Sequence, residues 1–298
     1  MLFPPFEPDR PEARRRRFRS IPVRTLVPNL ITLLAMCAGL TAIRFAAEGR
    51  FELALAGIVF AAVLDGIDGR VARLLKGTSR FGAELDSLAD FVNFGVAPAL
   101  TLYFWDLHEL KSAGWIAAMV FAICGALRLA RFNVMIDDPN RPAFAANFFV
   151  GVPAPAGAII VLLPIYVDFL GMPRFTLLAP LTFIYTLLVA FLMVSRLPVF
   201  SGKKFGTRVA PEMVLPVFVL VVLFFALLLS YPWEILTVGT LLYLGCLPLG
   251  WTSYRNYERR EAEAAASEAA PMAVPTSSAL PRHPPHDSVE DERPARLN

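Results

Sequence analysis

The chain has 298 residues, 56% of them hydrophobic, with a net charge of +3 and a mean hydropathy of +0.55. A soluble domain holds roughly 45–50% apolar residues, so this composition excludes an ordinary water-soluble enzyme. The excess falls in blocks of about 20 residues, the length that crosses a bilayer.

Residues 1–20 are rich in proline and then in arginine, ending in the run RRRRFR at 14–19. Beside a membrane span such a run is a topology signal, and it can also contact anionic lipid at about 1 kcal/mol per basic residue. Eight apolar spans follow, at roughly 25–47, 51–75, 84–105, 113–133, 149–170, 175–195, 212–230 and 233–251. The first is too long for a signal peptide, shows no small-residue cleavage site and has further spans behind it. Pro28 and Asn29 are expected to open its helix, where a proline loses no hydrogen bond. Gly151, Pro153, Pro155 and Gly157 are expected to shape the entry to the fifth span.

Basic residues divide unevenly between the two sides of such an eight-span arrangement. Of the 28, only Arg44, Arg50, Lys111 and Arg174 fall opposite the N-terminus. The positive-inside rule then puts both chain ends in the cytoplasm, with the cytoplasmic membrane of the cell as the expected location. Loop residues Lys203, Lys204 and Arg208 read first as part of that bias and second as contacts to phosphate. Cys37, Cys124 and Cys246 sit within apolar spans at spacings that suit neither zinc nor a disulfide framework. Residues 261–298 are rich in Ala, Glu, Pro and Ser without apolar periodicity, the composition of a disordered tail. The expected organisation is a basic cytoplasmic segment (1–20), an all-α transmembrane catalytic domain (21–255) and a cytoplasmic tail (256–298).

The most informative stretch is DGIDGRVARLLKGTSRFGAELDSLAD, residues 65–90. Asp65 and Asp68 are three apart on the second span, and Asp86 and Asp90 are four apart on the third. Each pair therefore shares a helical face. The connection between the spans is short, so they are expected to run as antiparallel neighbours. An ionised carboxylate in mid-bilayer costs roughly 2.5–3.5 kcal/mol, and four would cost on the order of 10. A positive group must lie among them. Oxygen ligands favour magnesium or manganese, and paired divalent cations suit phosphoryl chemistry. Glycines 66, 69, 77 and 82 accompany the acids, each at a helix-propensity cost of up to about 1 kcal/mol. Close approach of a ligand or a second backbone would account for them, and Arg73 adds a cation able to grip a phosphate. The rival readings are salt bridges to Arg70, Arg73 or Arg80, and the ion pathway of a coupled transporter. No second acidic cluster occurs in the C-terminal half to support the latter.

The pattern Asp65-x-x-Asp68-Gly69-x-x-Ala72-Arg73, eight residues, then Gly82-x-x-x-Asp86-x-x-x-Asp90 resembles the CDP-alcohol phosphotransferase signature at all of its fixed positions. The resemblance implies an integral-membrane enzyme with a six-helix catalytic core that displaces CMP from a CDP-linked donor with an alcohol. It implies that Asp65, Asp68 and Asp86 ligate metal, and that Asp90 ligates or takes the alcohol proton. Gly69, Ala72 and Gly82 would admit the cytidine diphosphate, with Arg73 near its phosphates. LDSLADFVNFGVAPA (85–99), ALRLARFNV (126–134), FFVGVPAPAGA (148–158) and LMVSRLP (192–198) look like the branch that makes phosphatidylserine.

That branch implies CDP-diacylglycerol as donor, L-serine as acceptor, and membrane lipids and a second copy of the chain as partners. No nucleic acid is expected. Serine carries a carboxylate and an ammonium, so its pocket needs a cation and acceptors. Arg128 and Arg131, one turn apart, are candidates for the cation. Asn93, a turn past Asp90, is a candidate for either group. End anchoring for the arginines and an interhelical hydrogen bond for Asn93 are the structural alternatives. Other acceptors within the family are glycerol 3-phosphate, inositol phosphate and choline. A separate lineage with the same product resembles phospholipase D and uses paired His-Lys motifs; none of the three histidines here is followed by x-Lys.

Overall fold

The computed structural model describes residues 23–136, 148–173, 176–195, 198–200, 211–248 and 259. The chain divides by contacts into Met1–Arg255 and Asn256–Asn298, and all described residues except Arg259 fall in the first. The basic segment 1–20, Arg141, Lys203, Lys204, Arg208 and the tail with His283 and His286 lie outside the described residues.

Helix α1 (Val23–Ala47) and helix α2 (Phe51–Leu74) form an antiparallel hairpin. The turn rests on Gly49 at φ +76°, with Arg50 N–H returning to the Phe45 carbonyl at 2.8 Å. Small residues let the two backbones approach, as in lipid-embedded helix pairs. Ala42, Ala46, Ala54 and Ala61 are buried there, and a Cβ on Gly57 would lie 3.0 Å from Ala42 Cβ. Pro28 does not open α1; it sits inside the helix, after five helical residues. The Arg24 carbonyl therefore receives no N–H from position 28. Gly77 lies against that freed carbonyl, so closely that a Cβ there would overlap it. Close contact of this kind between a glycine Cα–H and a carbonyl is a recurrent helix-packing device.

Helix α2 ends in a Schellman motif: Gly77 N–H reaches the Ala72 carbonyl at 2.9 Å and Lys76 N–H the Arg73 carbonyl at 3.2 Å. Lys76 takes the left-handed position at φ +50°, where glycine is usual. Ser79 then caps helix α3 (Arg80–Asp90), its Oγ accepting from Gly82 N–H at 3.0 Å. These two local motifs make the tight connection between the aspartate-bearing helices.

Helix α3 runs into a π-helical segment (Phe91–Val96) and helix α4 (Ala97–Trp105) as one 26-residue span, Arg80–Trp105. Pro98 has no N–H to give the Phe94 carbonyl. Immediately before it the ladder runs one residue longer, Ala97 N–H bonding to Val92 O. Removal of a donor by proline gives the local reason for the wider turn.

Helix α5 (Ser112–Ile136) follows a short 3-10 turn (Leu107–Leu110). Helices α6 (Ala154–Val161) and α7 (Leu163–Phe169) break at Leu162, before Pro164. Helices α8 (Leu178–Val194) and α9 (Pro211–Ser230) follow, and a last helix, α10, covers 232–248. Each expected span is thus helical over most of its described residues. Among the described residues, four helical stretches are long and apolar enough to cross a membrane by length and composition: Arg24–Ala47, Arg80–Trp105, Ser112–Met135 and Met213–Ser230. Helix α2 is long, but its charged residues dilute its apolar character.

The architecture is all-α and membrane-embedded, with one addition absent from the sequence reading. Phe148–Val150 (β1) pairs antiparallel with Pro198–Phe200 (β2). Gly151 follows β1 at φ +78°, a Cβ there lying 2.5 Å from the Met193 carbonyl, and Pro153 stands at the N-cap of α6. The expected role of this Gly-Pro stretch at the helix entry is what the geometry shows. The core joins Phe94, Leu102, Phe121, Val161, Tyr166 and Met193, from the π segment, α4, α5, α6, α7 and α8.

Candidate active site

Helix α1 packs against both α2 and α3, whereas α2 and α3 share few close backbone contacts. The expected neighbours are therefore separated by a gap, and their carboxylates point into it. Asp65 and Asp68 on α2 and Asp86 on α3 each present an oxygen, and these three atoms lie within 4.8 Å of one another. Asp90, a turn further along α3, meets the Asp65 carboxyl within hydrogen-bond reach. Its Oδ1 is buried with no hydrogen-bond partner.

Two unit charges 4.8 Å apart repel by about 3.5 kcal/mol at an effective dielectric of 20. Three such pairs, with a fourth carboxyl beside them, strongly disfavour the cluster unless a cation occupies it. Among the described residues none of the four aspartates makes a salt bridge. Arg70, Arg73 and Arg80 are exposed, so the salt-bridge reading of the cluster does not hold. The donor set is all oxygen, anionic and convergent from two helices, which fits a hard divalent cation.

One neutral group supports the cluster from α1. Thr32 Oγ1 donates to Asp68 Oδ2 at 2.7 Å and lies 3.1 Å from the Pro28 carbonyl oxygen. Asp68 is only 4% exposed, so this bond sets the direction of a carboxylate that has little freedom. A second α1 residue, Asn29, approaches α3: a Cβ on Gly82 would lie 2.7 Å from Asn29 Oδ1 and 3.1 Å from Ser79 Oγ. Gly82 thus makes room for a protein side chain. Gly66 and Gly69 instead face open space, with nothing within 4 Å of a would-be Cβ. Ala72 is half-buried and Arg73 exposed on the same stretch of α2. This stretch leaves an uncluttered surface beside the carboxylates. Thr32 and Asn29 were not singled out as site residues by sequence reasoning. The available signal was two polar residues three apart in an apolar span.

The three residues considered for the acceptor pocket separate. Asn93 lies in the π segment, fully buried, with neither side-chain atom hydrogen-bonded and its amide pressed against Gly39 of α1. π-Helical turns of this kind occur frequently at functional sites. Arg128 is 8% exposed, lies over the Phe132 ring at 5.2 Å and acts electrostatically on Asp90. Arg131 turns elsewhere, donating from Nη1 to the Val194 carbonyl at 2.7 Å. It thereby satisfies a free carbonyl at the end of α8.

A CDP-alcohol phosphatidyltransferase family profile matches residues 25–194, and a second, CDP-alcohol phosphatidyltransferase 2, matches residues 212–248. The chain is 40% identical over 281 residues to the CDP-diacylglycerol–serine O-phosphatidyltransferase of Mycobacterium leprae, covering 91% of each. It is 38% identical over 223 residues to the enzyme of that name from Helicobacter pylori, covering 74% of this chain and 88% of the relative. A 134-residue stretch is 55% identical to the Mycobacterium bovis enzyme of that name, covering 45% of this chain and 46% of the relative.

Proposed function

The chain belongs to the CDP-alcohol phosphatidyltransferase family, and we propose that it transfers the phosphatidyl group of CDP-diacylglycerol to the hydroxyl of L-serine, giving phosphatidylserine and CMP. The observation that carries the chemistry is the convergence of Asp65, Asp68 and Asp86, with Asp90 beside them, in a gap between two helices. The acceptor rests on the similarity to relatives named for serine, which extends over most of the chain.

Asp65, Asp68 and Asp86, with Asp90 at the edge, would hold magnesium or manganese. The cation would neutralise phosphate charge and stabilise the leaving CMP. Asp90 would accept the proton of the serine hydroxyl through its unpartnered Oδ1, within hydrogen-bond distance of the incoming oxygen. As that proton leaves, the serine oxygen forms a bond to the phosphorus that carries diacylglycerol. The bond from that phosphorus to the CMP oxygen breaks on the opposite side. The open face of Gly66 and Gly69 would admit the diphosphate, Ala72 would border it, and Arg73 would meet its charge. Gly82 would act indirectly, by seating Asn29. Arg128 and Asn93 would serve the acceptor, while Arg131 holds α8.

The donor's acyl chains would remain in lipid beside the helices. The basic-residue distribution supports a cytoplasmic site and cytoplasmic chain ends, in the cytoplasmic membrane, with two copies of the chain associating. Residues 1–20 would be a basic flank, 21–255 the catalytic unit and 256–298 a tail.

The test is CMP release by purified protein in detergent, with CDP-diacylglycerol, manganese or magnesium, and each alcohol separately. Serine-dependent release that requires metal and is lost in Asp86→Asn supports the proposal. Release only with glycerol 3-phosphate, inositol phosphate or choline would overturn the acceptor. No release with any alcohol, from folded protein that binds metal, would overturn the reaction.

A further inference from the structure

Helices α2, α6, α9 and α10 bound a cleft beside the carboxylates. Its lining includes Val59 and Val63 of α2, Ile160 of α6, Phe224 of α9, and Leu236 and Gly239 of α10, around a cavity of about 380 Å³. Among the described residues of the lining, Thr240 and Tyr243 alone have polar side chains. Both of their hydroxyl oxygens are buried, so the surface turned towards the cavity is apolar.

Water does not fill such a space, because each buried molecule needs two to four polar partners. Left empty, its walls lose dispersion contacts, which a hydrocarbon chain restores. Phe224 and Phe225 of the lining are 51% and 45% exposed, which puts the opening towards lipid. Gly239 keeps the α10 wall low: nothing lies within 4 Å of a Cβ built there, and glycine inside a helix costs about 1 kcal/mol.

Position along α2 decides whose chain it is. Val59, Ala62, Val63 and Gly66 recur at intervals of three and four residues and so share one face. Gly66 belongs to the open surface assigned above to the diphosphate. The cleft therefore begins one helical turn from that surface. It runs back to Val59, about 9 Å from Asp65 along the axis at 1.5 Å per residue. The donor's phosphorus must sit at the carboxylates, and its glycerol is joined to that phosphorus through one oxygen. Its acyl chains therefore start where the cleft starts, whereas an unrelated membrane lipid has no such tie to the site.

We propose that one acyl chain of the CDP-diacylglycerol donor lies in this cleft, so that α9 and α10 set the donor's chain preference. The assignment rests on the donor reading above and is independent of the acceptor. The chain enters beside Gly66, follows Ala62 and Val59 along α2, and packs against Leu236 and Gly239. The second chain stays in the surrounding lipid.

The test measures CMP release in mixed micelles by wild-type protein, Gly239→Ala and Gly239→Leu, each with the dioleoyl and the dibutyryl form of CDP-diacylglycerol. Overfilling an apolar site predicts a KM for the dioleoyl donor raised about tenfold or more in Gly239→Leu, and by less in Gly239→Ala. The kcat with that donor should stay within about threefold, because the chain is bound equally before and during the transfer step. The dibutyryl chains end near the mouth of the cleft, so the KM for that donor should stay within about threefold in both variants. Its turnover also establishes that the variants are folded; if Gly239→Leu turns over neither donor, Gly239→Ala carries the comparison. An unchanged KM for the dioleoyl donor in a folded Gly239→Leu would overturn the assignment and leave the cleft to bulk lipid or a second copy of the chain. Equal losses with both donors in both variants would also overturn it. Wild-type protein that releases no CMP from either donor, with any alcohol, would instead overturn the reading beneath it.

Discussion

Thr32→Val removes one hydroxyl and keeps the shape of the side chain, so it isolates the 2.7 Å bond to Asp68. Hydrogen bonds to charged groups contribute about 1.5–3 kcal/mol, which corresponds to roughly 10–150-fold in an equilibrium constant. Loss of an outer partner of a metal ligand typically weakens metal affinity about 10–100-fold, and the two estimates overlap. Asp68 is 4% exposed, so water cannot readily replace the lost donor. The expected result is a half-saturating manganese concentration raised at least about tenfold, with turnover at saturating manganese within roughly threefold of wild type. Thr32→Ser, which keeps the hydroxyl, should restore most of the affinity. The assay is CMP release titrated with manganese, with thermal unfolding in detergent as the folding control. An unchanged manganese dependence in well-folded Thr32→Val would refute the argument that α1 orients the carboxylate cluster.

Three further outcomes follow from the same geometry. Asp90→Asn keeps the size of the side chain but removes its basicity, so kcat should fall by about 10²–10⁴ with little change in the KM for the donor; near-normal turnover would remove Asp90 from its assigned role. Gly77→Ala places a Cβ against the Arg24 carbonyl and should destabilise the protein by about 1–3 kcal/mol, seen as a lower unfolding temperature in detergent. Lys76→Gly relieves a left-handed residue at the end of α2 and should raise that temperature by a stabilisation of up to about 1 kcal/mol, since glycine's larger unfolded-state freedom offsets part of the gain.

The carboxylate cluster was legible in the sequence because helical spacing and the cost of charge in lipid act together. Three- and four-residue intervals put Asp65 with Asp68 and Asp86 with Asp90, and a short connection allowed the pairs to meet. Other features depend on tertiary partners that spacing does not reveal. Arg128 and Arg131 are one turn apart and looked equivalent, but Arg131 has the end of α8 within reach and Arg128 does not. Gly82 looked like a ligand-facing glycine and instead admits Asn29. Pro28 matched the rule for a helix start, yet helical residues precede it. The π turn before Pro98 is a rearrangement of hydrogen bonds, and residue type alone leaves its register open.

The misplacement of Pro28 bears directly on how the site is built. A proline at the start of α1 would have left a regular helix beside α2 and α3. Placed internally, it frees the Arg24 carbonyl at the point where the α2–α3 connection passes, and Gly77 is the residue small enough to use it. One residue after Pro28, Asn29 meets Gly82; four residues after it, Thr32 meets Asp68. Three successive contacts from one face of α1 thus engage the connection, the start of α3 and the carboxylate of α2. Because α2 and α3 share few backbone contacts of their own, the spacing of the aspartates across the gap is set through α1. Changes to α1 should therefore alter metal affinity before they alter the transfer step, and Thr32→Val separates those two effects.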